Sequence, residues 1–294
     1  SQRRSRLQPH RLLYSSTTMI RLWALLVLLW APAALGFART ARVQVRMQSE
    51  PAFSGAKVLE NTAGVSASDV NIRKLRVDLG SAKDSYTTPG QYIQMRPSAG
   101  EKAGFYALAS APGSGSEAEL LVKEADSNKW LIGANAGTSV QVTAPAGNGF
   151  KLAENFDDLV KFDFPVQNVL LFAAGTGIAP IKAAIESGAL RLEDGRTCKL
   201  YYGARSMESM PYTEEFEKWE EMGVTVIPCF SQGSASSDLP SARTGYVQHA
   251  LEEDGVSMPR NSGALLCGMK GMTEAVKSIL TDAGVFPERC LLNF

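Results

Sequence analysis

The sequence predicts two lobes of different construction, an N-terminal antiparallel β-barrel and a C-terminal α/β lobe built on a doubly wound parallel sheet. Three observations predict it. From about Val58 to Val142, short apolar-alternating runs are broken by Gly, Pro, Ser and Asp, the grammar of an all-β unit. From Val166 onward, continuous apolar runs alternate with helical periodicity, as in a parallel sheet covered by helices. At 294 residues the chain has room for two domains of ordinary size.

The expected boundaries are a leader over 1–48, the barrel over 49–160 and the α/β lobe over 161–294. The leader reads as an address rather than a fold. "MIRLWALLVLLWAPAALG" holds a Met, an Arg and an apolar run from Leu22 to Leu35, with Ala34 and Gly36 placed for signal-peptidase cleavage before Phe37. The run is shorter than the roughly 20 residues a membrane helix needs, so no stable span is expected after processing. The following "FARTARVQVRMQ" carries Arg and no acid, the composition of an organelle transit segment.

In the barrel, "RKLRVDL", "GQYIQMRP", "GFYALAS", "AELLVKEA" and "TSVQVTAP" read as strands, and "ADSNKWLIGANAG" as the one helical insertion. The stretch 151–165 reads as the connector. In the α/β lobe, strands are expected at "NVLLFAA", "CKLYYG", "VTVIPCF", "GALLCG" and "RCLLNF". Helices are expected at "APIKAAIESGA", "YTEEFEKWEEM", "GYVQHALEE" and "MTEAVKSILTDAG".

Charge and cysteine usage exclude several classes. Eight of the 30 Lys+Arg lie in residues 1–48, which hold no acid, so the rest carries 22 basic against 30 acidic side chains, a formal −8. An acidic body argues against nucleic-acid binding, which needs clustered cations. Four cysteines without a C-x-x-C pair and two histidines offer no metal site.

Ligands of open α/β sheets bind beyond the carboxyl ends of the strands. Every predicted strand end here carries unusual residues: Gly175-Thr176-Gly177, Gly203-Ala204-Arg205-Ser206, Phe230-Ser231-Gln232 and Gly268-Met269-Lys270-Gly271. Glycine lets backbone N–H groups approach a phosphate. The helix after Gly177 would aim its N-terminal amides at the same place, with Pro180 suited to its first turn. The turn is neither G-x-G-x-x-G nor a Walker loop.

"AAGTGIAP", "LYYGARS", "TGYVQHAL" and "LLCGMKGM", in this order, resemble the nucleotide lobe of the ferredoxin–NADP reductase-like flavoproteins. "PGQYIQMRP", "GFYALASAP", "LLVK" and "APAGNGF" resemble their FAD-binding barrel. The resemblance spans about residues 55–294, and "YYGARSMESMPYTEEFEKWEEMGVTVIPCFSQ" is similar to the plant plastid kiwi-fruit-protein type. It implies an NAD(P)H-dependent flavoenzyme with FAD and either NADP(H) or NAD(H), handing electrons to a small redox protein or small-molecule acceptor.

Carried over by position, the resemblance implies that Tyr106 stacks on or hydrogen-bonds the flavin, that the backbone of Ala107, Leu108, Ala109 and Ser110 borders it, and that Val122 and Lys123 run along it. It puts Asn128 and Lys129 near the FAD diphosphate. Gly175, Thr176, Gly177 and Pro180 would face the pyridine nucleotide, with Gly203, Ala204, Arg205, Ser231, Tyr246, Gly268 and Met269 around it. Cys267 would lie by nicotinamide C4 and Phe294 over the flavin face, which makes Cys267, Tyr106 and Phe294 the residues nearest the chemistry.

The family's Arg-x-Tyr-Ser is replaced by Gly104-Phe105-Tyr106-Ala107. The missing Arg leaves a second reading open, a catalytically weak dinucleotide-binding regulatory or assembly module. Ser231-Gln232 and Thr244-Gly245-Tyr246 lack two cations of the plant-type 2′-phosphate site, leaving Arg205 or Arg243 to reach it. A signal peptide, Phe at the cut and a basic stretch in series resemble the two-part plastid presequences of algae with secondary plastids. That implies delivery to the plastid (chloroplast).

Overall fold

A computed structural model describes residues 51–65, 67–232 and 239–293. The predicted leader and Phe294 lie outside the described residues. The first lobe is a six-stranded antiparallel sheet with strands β1 (Phe53–Ala63), β2 (Ile72–Asp78), β3 (Tyr92–Arg96), β4 (Gly104–Ala107), β5 (Glu117–Lys123) and β6 (Ser139–Thr143), ordered β4-β3-β6-β1-β2-β5. An antiparallel bridge between Leu108 and Leu120 joins the two edges into a barrel.

Alternation fills the interior. Val58, Leu75, Val77, Ile93, Met95, Leu120 and Val142 are buried together, and their sequence neighbours face out, as period-2 side chains must. The barrel begins five residues earlier than the pattern suggests, at Phe53. The outward residues of β1 are mixed polar and apolar, which blurs the alternation there.

The second lobe is a parallel sheet of β7 (Asn168–Ala174), β8 (Thr197–Ala204), β9 (Val224–Phe230), β10 (Arg243–Thr244), β11 (Ser262–Cys267) and β12 (Cys290–Leu292), ordered β10-β9-β8-β7-β11-β12. The short helices α1 (Lys129–Ile132), at the predicted insertion, and α2 (Leu159–Phe162), in the connector, precede it. Helices α3 (Ile178–Glu186) and α4 (Phe216–Glu221) pack in the apolar cluster on one sheet face. Helices α5 (Val247–Asp254) and α6 (Lys270–Asp282) pack in the cluster on the other. This is a doubly wound sheet. Its order reverses beside β7, whose neighbours β8 and β11 run to opposite sides, and a ligand crevice forms at such a switch point.

The described residues fall within one compact unit, and the two lobes share a core. Ile72, Ala109 and Leu121 of the barrel join the cluster that contains Ile178, Ile181 and Cys267. A polar bolt crosses the same seam. The Tyr212 hydroxyl donates to Glu119 of β5 at 2.5 Å, and Lys182 of α3 lies 3.8 Å from Glu119 and 2.6 Å from Glu186. Tyr212 adopts φ 62° to make this reach, a left-handed backbone conformation that bulky residues seldom take. Lys182 is 6% exposed; a buried ammonium is tolerable because carboxylates meet it on both sides.

Candidate functional site

At the switch point a cleft of about 520 Å³ opens at the carboxyl ends of the parallel strands. Its floor is Ala174, Gly175 and Thr176 at the end of β7, and Gly203, Ala204 and Arg205 at the end of β8. Ser231, Gly245 and Tyr246 form one wall, and Met269 and Met272 the other. Val70, Ile72 and Lys123 close it from the barrel side.

The turn that starts α3 has local causes. Gly175 takes φ 54° with open space where a Cβ would project, so the conformation alone requires glycine. Gly177 has ordinary backbone angles, but a Cβ there would lie 2.2 Å from the Cys267 carbonyl oxygen. It lets the turn touch the end of β11. The Tyr202 hydroxyl, 3.2 Å from the Gly175 and Pro211 carbonyls, holds the turn from behind. Pro180 is buried within α3.

The predicted nucleotide residues therefore divide. Gly175, Thr176, Gly203, Ala204, Arg205, Ser231, Tyr246 and Met269 line one cleft. Gly177, Pro180 and Gly268 shape it by close packing; a Cβ on Gly268 would meet Met272 at 2.9 Å and Ala174 at 3.1 Å. Cys267 is 5% exposed, at the end of β11. Burial pushes its thiol up to about 12, so it is a neutral SH at physiological pH and no nucleophile. Iodoacetamide at pH 8 is expected to leave Cys267 unmodified in native protein and to label it after unfolding, as peptide mass spectrometry would read. Rapid native labelling would contradict the buried placement.

Lys123, expected along the flavin, lines this cleft at the end of β5. Arg243 lies outside it, its guanidinium paired with Glu253 at 3.0 Å and Asp254 at 2.6 Å. Among the described residues the lining holds two charged side chains, both cations. Gln248 was missed by the sequence reading: its Oε1 is buried without a hydrogen-bond partner and its side chain lines the cleft. An orphaned acceptor, two cations, of which Arg205 is shared with Asp69 at 3.2 Å, and a glycine turn at a helix start fit a phosphate-bearing nucleotide.

On the barrel, Tyr106 is half-buried against the core, and burial raises its phenol pKa. Its hydroxyl lies 2.5 Å from where a Cβ of Gly104 would project, so the tyrosine occupies space that any side chain at 104 would need. Leu108 and Ala109 are fully buried; the stretch offers a ligand the surfaces of Ala107 and Ser110. Val122 is buried in the barrel core. The Asn128 amide accepts from Ala125 N–H and donates to Lys123 O, closing a local turn. Lys129 pairs with Asp126 at 2.8 Å.

The sequence reading also missed the outer face of β3 and β4. Phe105 is 67% exposed and meets the Tyr92 ring edge-on, centroids 5.4 Å apart. On the same face of β3, Arg96 lies with its guanidinium 3.8 Å from the Phe53 ring centroid and donates to Gln141 at 2.8 Å. Two aromatic rings beside an oriented guanidinium fit a flavin nucleotide, whose rings stack and whose diphosphate needs a cation. Among the described residues no cluster could hold a metal ion, and no helix is long and apolar enough to cross a membrane.

A barrel joined to a doubly wound lobe, with an anion-suited cleft at the switch point, defines the class of two-lobed FAD- and NAD(P)-binding oxidoreductases. Residues 171–278 match the oxidoreductase NAD-binding domain family. Over 236 residues the chain is 32% identical to the fruit protein pKIWI502 of Actinidia deliciosa, covering 75% of this chain and 71% of that one. It is 25% identical to the ferredoxin–NAD(P)+ reductase component of the Pseudomonas putida naphthalene 1,2-dioxygenase system, over 84% of this chain and 71% of that one. The fold superposes on a Neisseria gonorrhoeae ferredoxin NADP+ reductase with bound FAD and NADP at a TM-score of 0.67 and 16% identity, covering 82% and 97% of the two chains. The chain belongs to the ferredoxin–NADP reductase-like family of NAD(P)H-dependent flavin oxidoreductases.

Proposed function

We propose that the protein oxidises NAD(P)H through a bound FAD and passes the electrons to a small redox protein or a small-molecule acceptor. The cleft at the switch point carries the reading: it joins a phosphate-suited turn to the barrel across a shared core. When bound, the nicotinamide and the flavin supply the chemistry, a hydride passing from nicotinamide C4 to flavin N5.

The chain's own residues bind, orient and exclude water. The first amides of α3 and the cations Lys123 and Arg205 take the nucleotide phosphates. Tyr246, 53% exposed at the start of α5, offers a ring for the adenine, and Gln248 Oε1 an acceptor for its amino group. Gly177 brings the Cys267 end of β11 against the turn, and the small Cys267 side chain leaves room for a flat ring. Tyr106 and Ala107 form the barrel border, with Phe105 and Tyr92 as the aromatic platform and Arg96 as the cation that Gly104 does not provide. The bolt of Glu119, Tyr212 and Lys182 keeps the lobes in register, as donor–acceptor distance requires. Phe294 belongs to this reading as the cover of the flavin face. The division into leader, barrel and α/β lobe at 48 and 160, and plastid delivery through the leader, are part of the same proposal.

Purified protein is expected to be yellow and to bleach when NADPH is added without oxygen. A colourless preparation that FAD cannot reconstitute would contradict the reading. Removing the Phe105 ring removes a stacking contact of ~0.5–1.5 kcal/mol, so Phe105→Ala is expected to weaken FAD binding up to about tenfold, read by flavin fluorescence. Unchanged affinity would remove Phe105 from the site. Tyr106 filling the space at position 104 favours a second reading, a nucleotide-binding module without turnover. Dye reduction by NADPH at enzymatic rates excludes it.

A further inference from the structure

We infer that Asp69, a carboxylate from the barrel lobe, sets the preference of the cleft between 2′-phosphorylated and unphosphorylated dinucleotides by holding Arg205. The inference rests on the reading of this cleft as the dinucleotide site and names the residue that decides which form it takes.

Arg205 stands just past the end of β8 and lines the cleft. Its Nη1 lies 3.2 Å from Asp69 Oδ2, and both side chains are about half exposed (54% and 62%). Asp69 sits in the segment that leads into β2, and that segment is anchored to the α/β lobe. Ala67 N–H donates to Glu208 O at 2.9 Å, and Val70 is itself part of the cleft wall. The backbone that carries Asp69 is therefore tied to the α/β lobe on one side and borders the cleft on the other.

The consequence is electrostatic. With the adenine seated on Tyr246, Arg205 is the lining cation of the lobe that carries Tyr246, so it is the group to recognise a 2′-phosphate. Here that arginine is already engaged. A 2′-phosphate reaching Arg205 displaces Asp69 and then lies within a few ångströms of a like charge. A nucleotide with a free 2′-hydroxyl meets neither penalty and finds Arg205 already neutralised. Asp69 thus works against NADPH relative to NADH and keeps a phosphate-competent site open to both. Half-exposed ion pairs are weak and screened, so the bias is modest.

The test titrates 2′,5′-ADP and 5′-AMP, which differ only in the 2′-phosphate, into the full-length chain by calorimetry. Wild type is compared with Asp69→Asn, Arg205→Ala and the double variant. Asp69→Asn is expected to tighten 2′,5′-ADP by about three- to fivefold and to leave 5′-AMP unchanged within about 1.5-fold. The same substitution should do nothing for 2′,5′-ADP in the Arg205→Ala background. The assignment is overturned if Asp69→Asn changes neither nucleotide, changes both alike, or keeps its gain without Arg205. If the wild type binds neither nucleotide, the dinucleotide reading of the cleft itself is wrong and this assignment falls with it. Binding of both with no effect of Asp69→Asn sinks the assignment alone.

Discussion

Replacing Gly177 with alanine is expected to abolish dinucleotide binding and to destabilise the α/β lobe by about 3 kcal/mol or more. The added methyl would stand 2.2 Å from the Cys267 carbonyl oxygen, 2.7 Å from its carbon and 3.0 Å from the Gly268 nitrogen. All three are backbone atoms, so no side-chain rotation relieves the clash. The turn and the end of β11 must separate, and these two segments flank the crevice at the switch point. Gly175→Ala is the control. It puts a methyl in open space but asks alanine to hold φ 54°, a strain of roughly 1–2 kcal/mol. Urea denaturation and titration with NADP+ would read both. Near-native stability and binding in Gly177→Ala would show that β11 does not approach the turn this closely.

The second large effect is expected at Arg289, which is fully buried. Its Nε donates to Asn155 O at 3.2 Å, Nη1 to Arg260 O at 2.8 Å and Nη2 to Phe164 O at 2.5 Å. The guanidinium lies 4.2 Å from the ring centroid of Phe162, with Phe164 and Phe286 beyond. Desolvation, then repulsion from Arg196, holds its pKa below the usual arginine range. Three carbonyls and three ring faces compensate the buried cation. They tie the connector between the lobes to the turn before β11 and the turn before β12. Arg289→Ala strands one buried and two part-buried acceptors and leaves a cavity, an expected loss of about 3–5 kcal/mol. At 2–4 °C per kcal/mol for a chain of this size, the melting temperature should fall by about 10 °C. Arg289→Lys keeps the charge but not the planar fork, and should fall between. A loss under about 1 kcal/mol in Arg289→Ala would refute the clamp.

Much of this site was legible in the sequence because strand ends of a parallel sheet share one rim. Gly175, Thr176, Gly203, Ala204, Arg205, Ser231 and Met269 are far apart along the chain, yet each ends or follows a recognisable strand, and the structure puts them in one cleft with Tyr246, which stands at the start of an expected helix. Lys123 was not legible in its position. Alternation in "LLVK" shows which side chains face the barrel core, not which lobe covers the strand's end. Val70 and Ile72 line the cleft for the same reason and carry no local signal. The replacement of the family's Arg by Gly104 was visible in the chain, but Tyr106 filling that space, and Arg96 offering a guanidinium from another strand, were not.

By itself the sequence determined the two architectures, the order of their elements, the glycine turn at 175–177 and the acidic balance of the body. These follow from periodicity and from backbone preferences of single residues, which are local. The tertiary structure alone decided the seam: Glu119 against Tyr212, 93 positions apart, Asp69 against Arg205, 136 apart, and Cys267 against Gly177. Such contacts depend on how two finished surfaces close on each other. That closure is set by shape and burial summed over a whole core, and no short stretch of sequence encodes it.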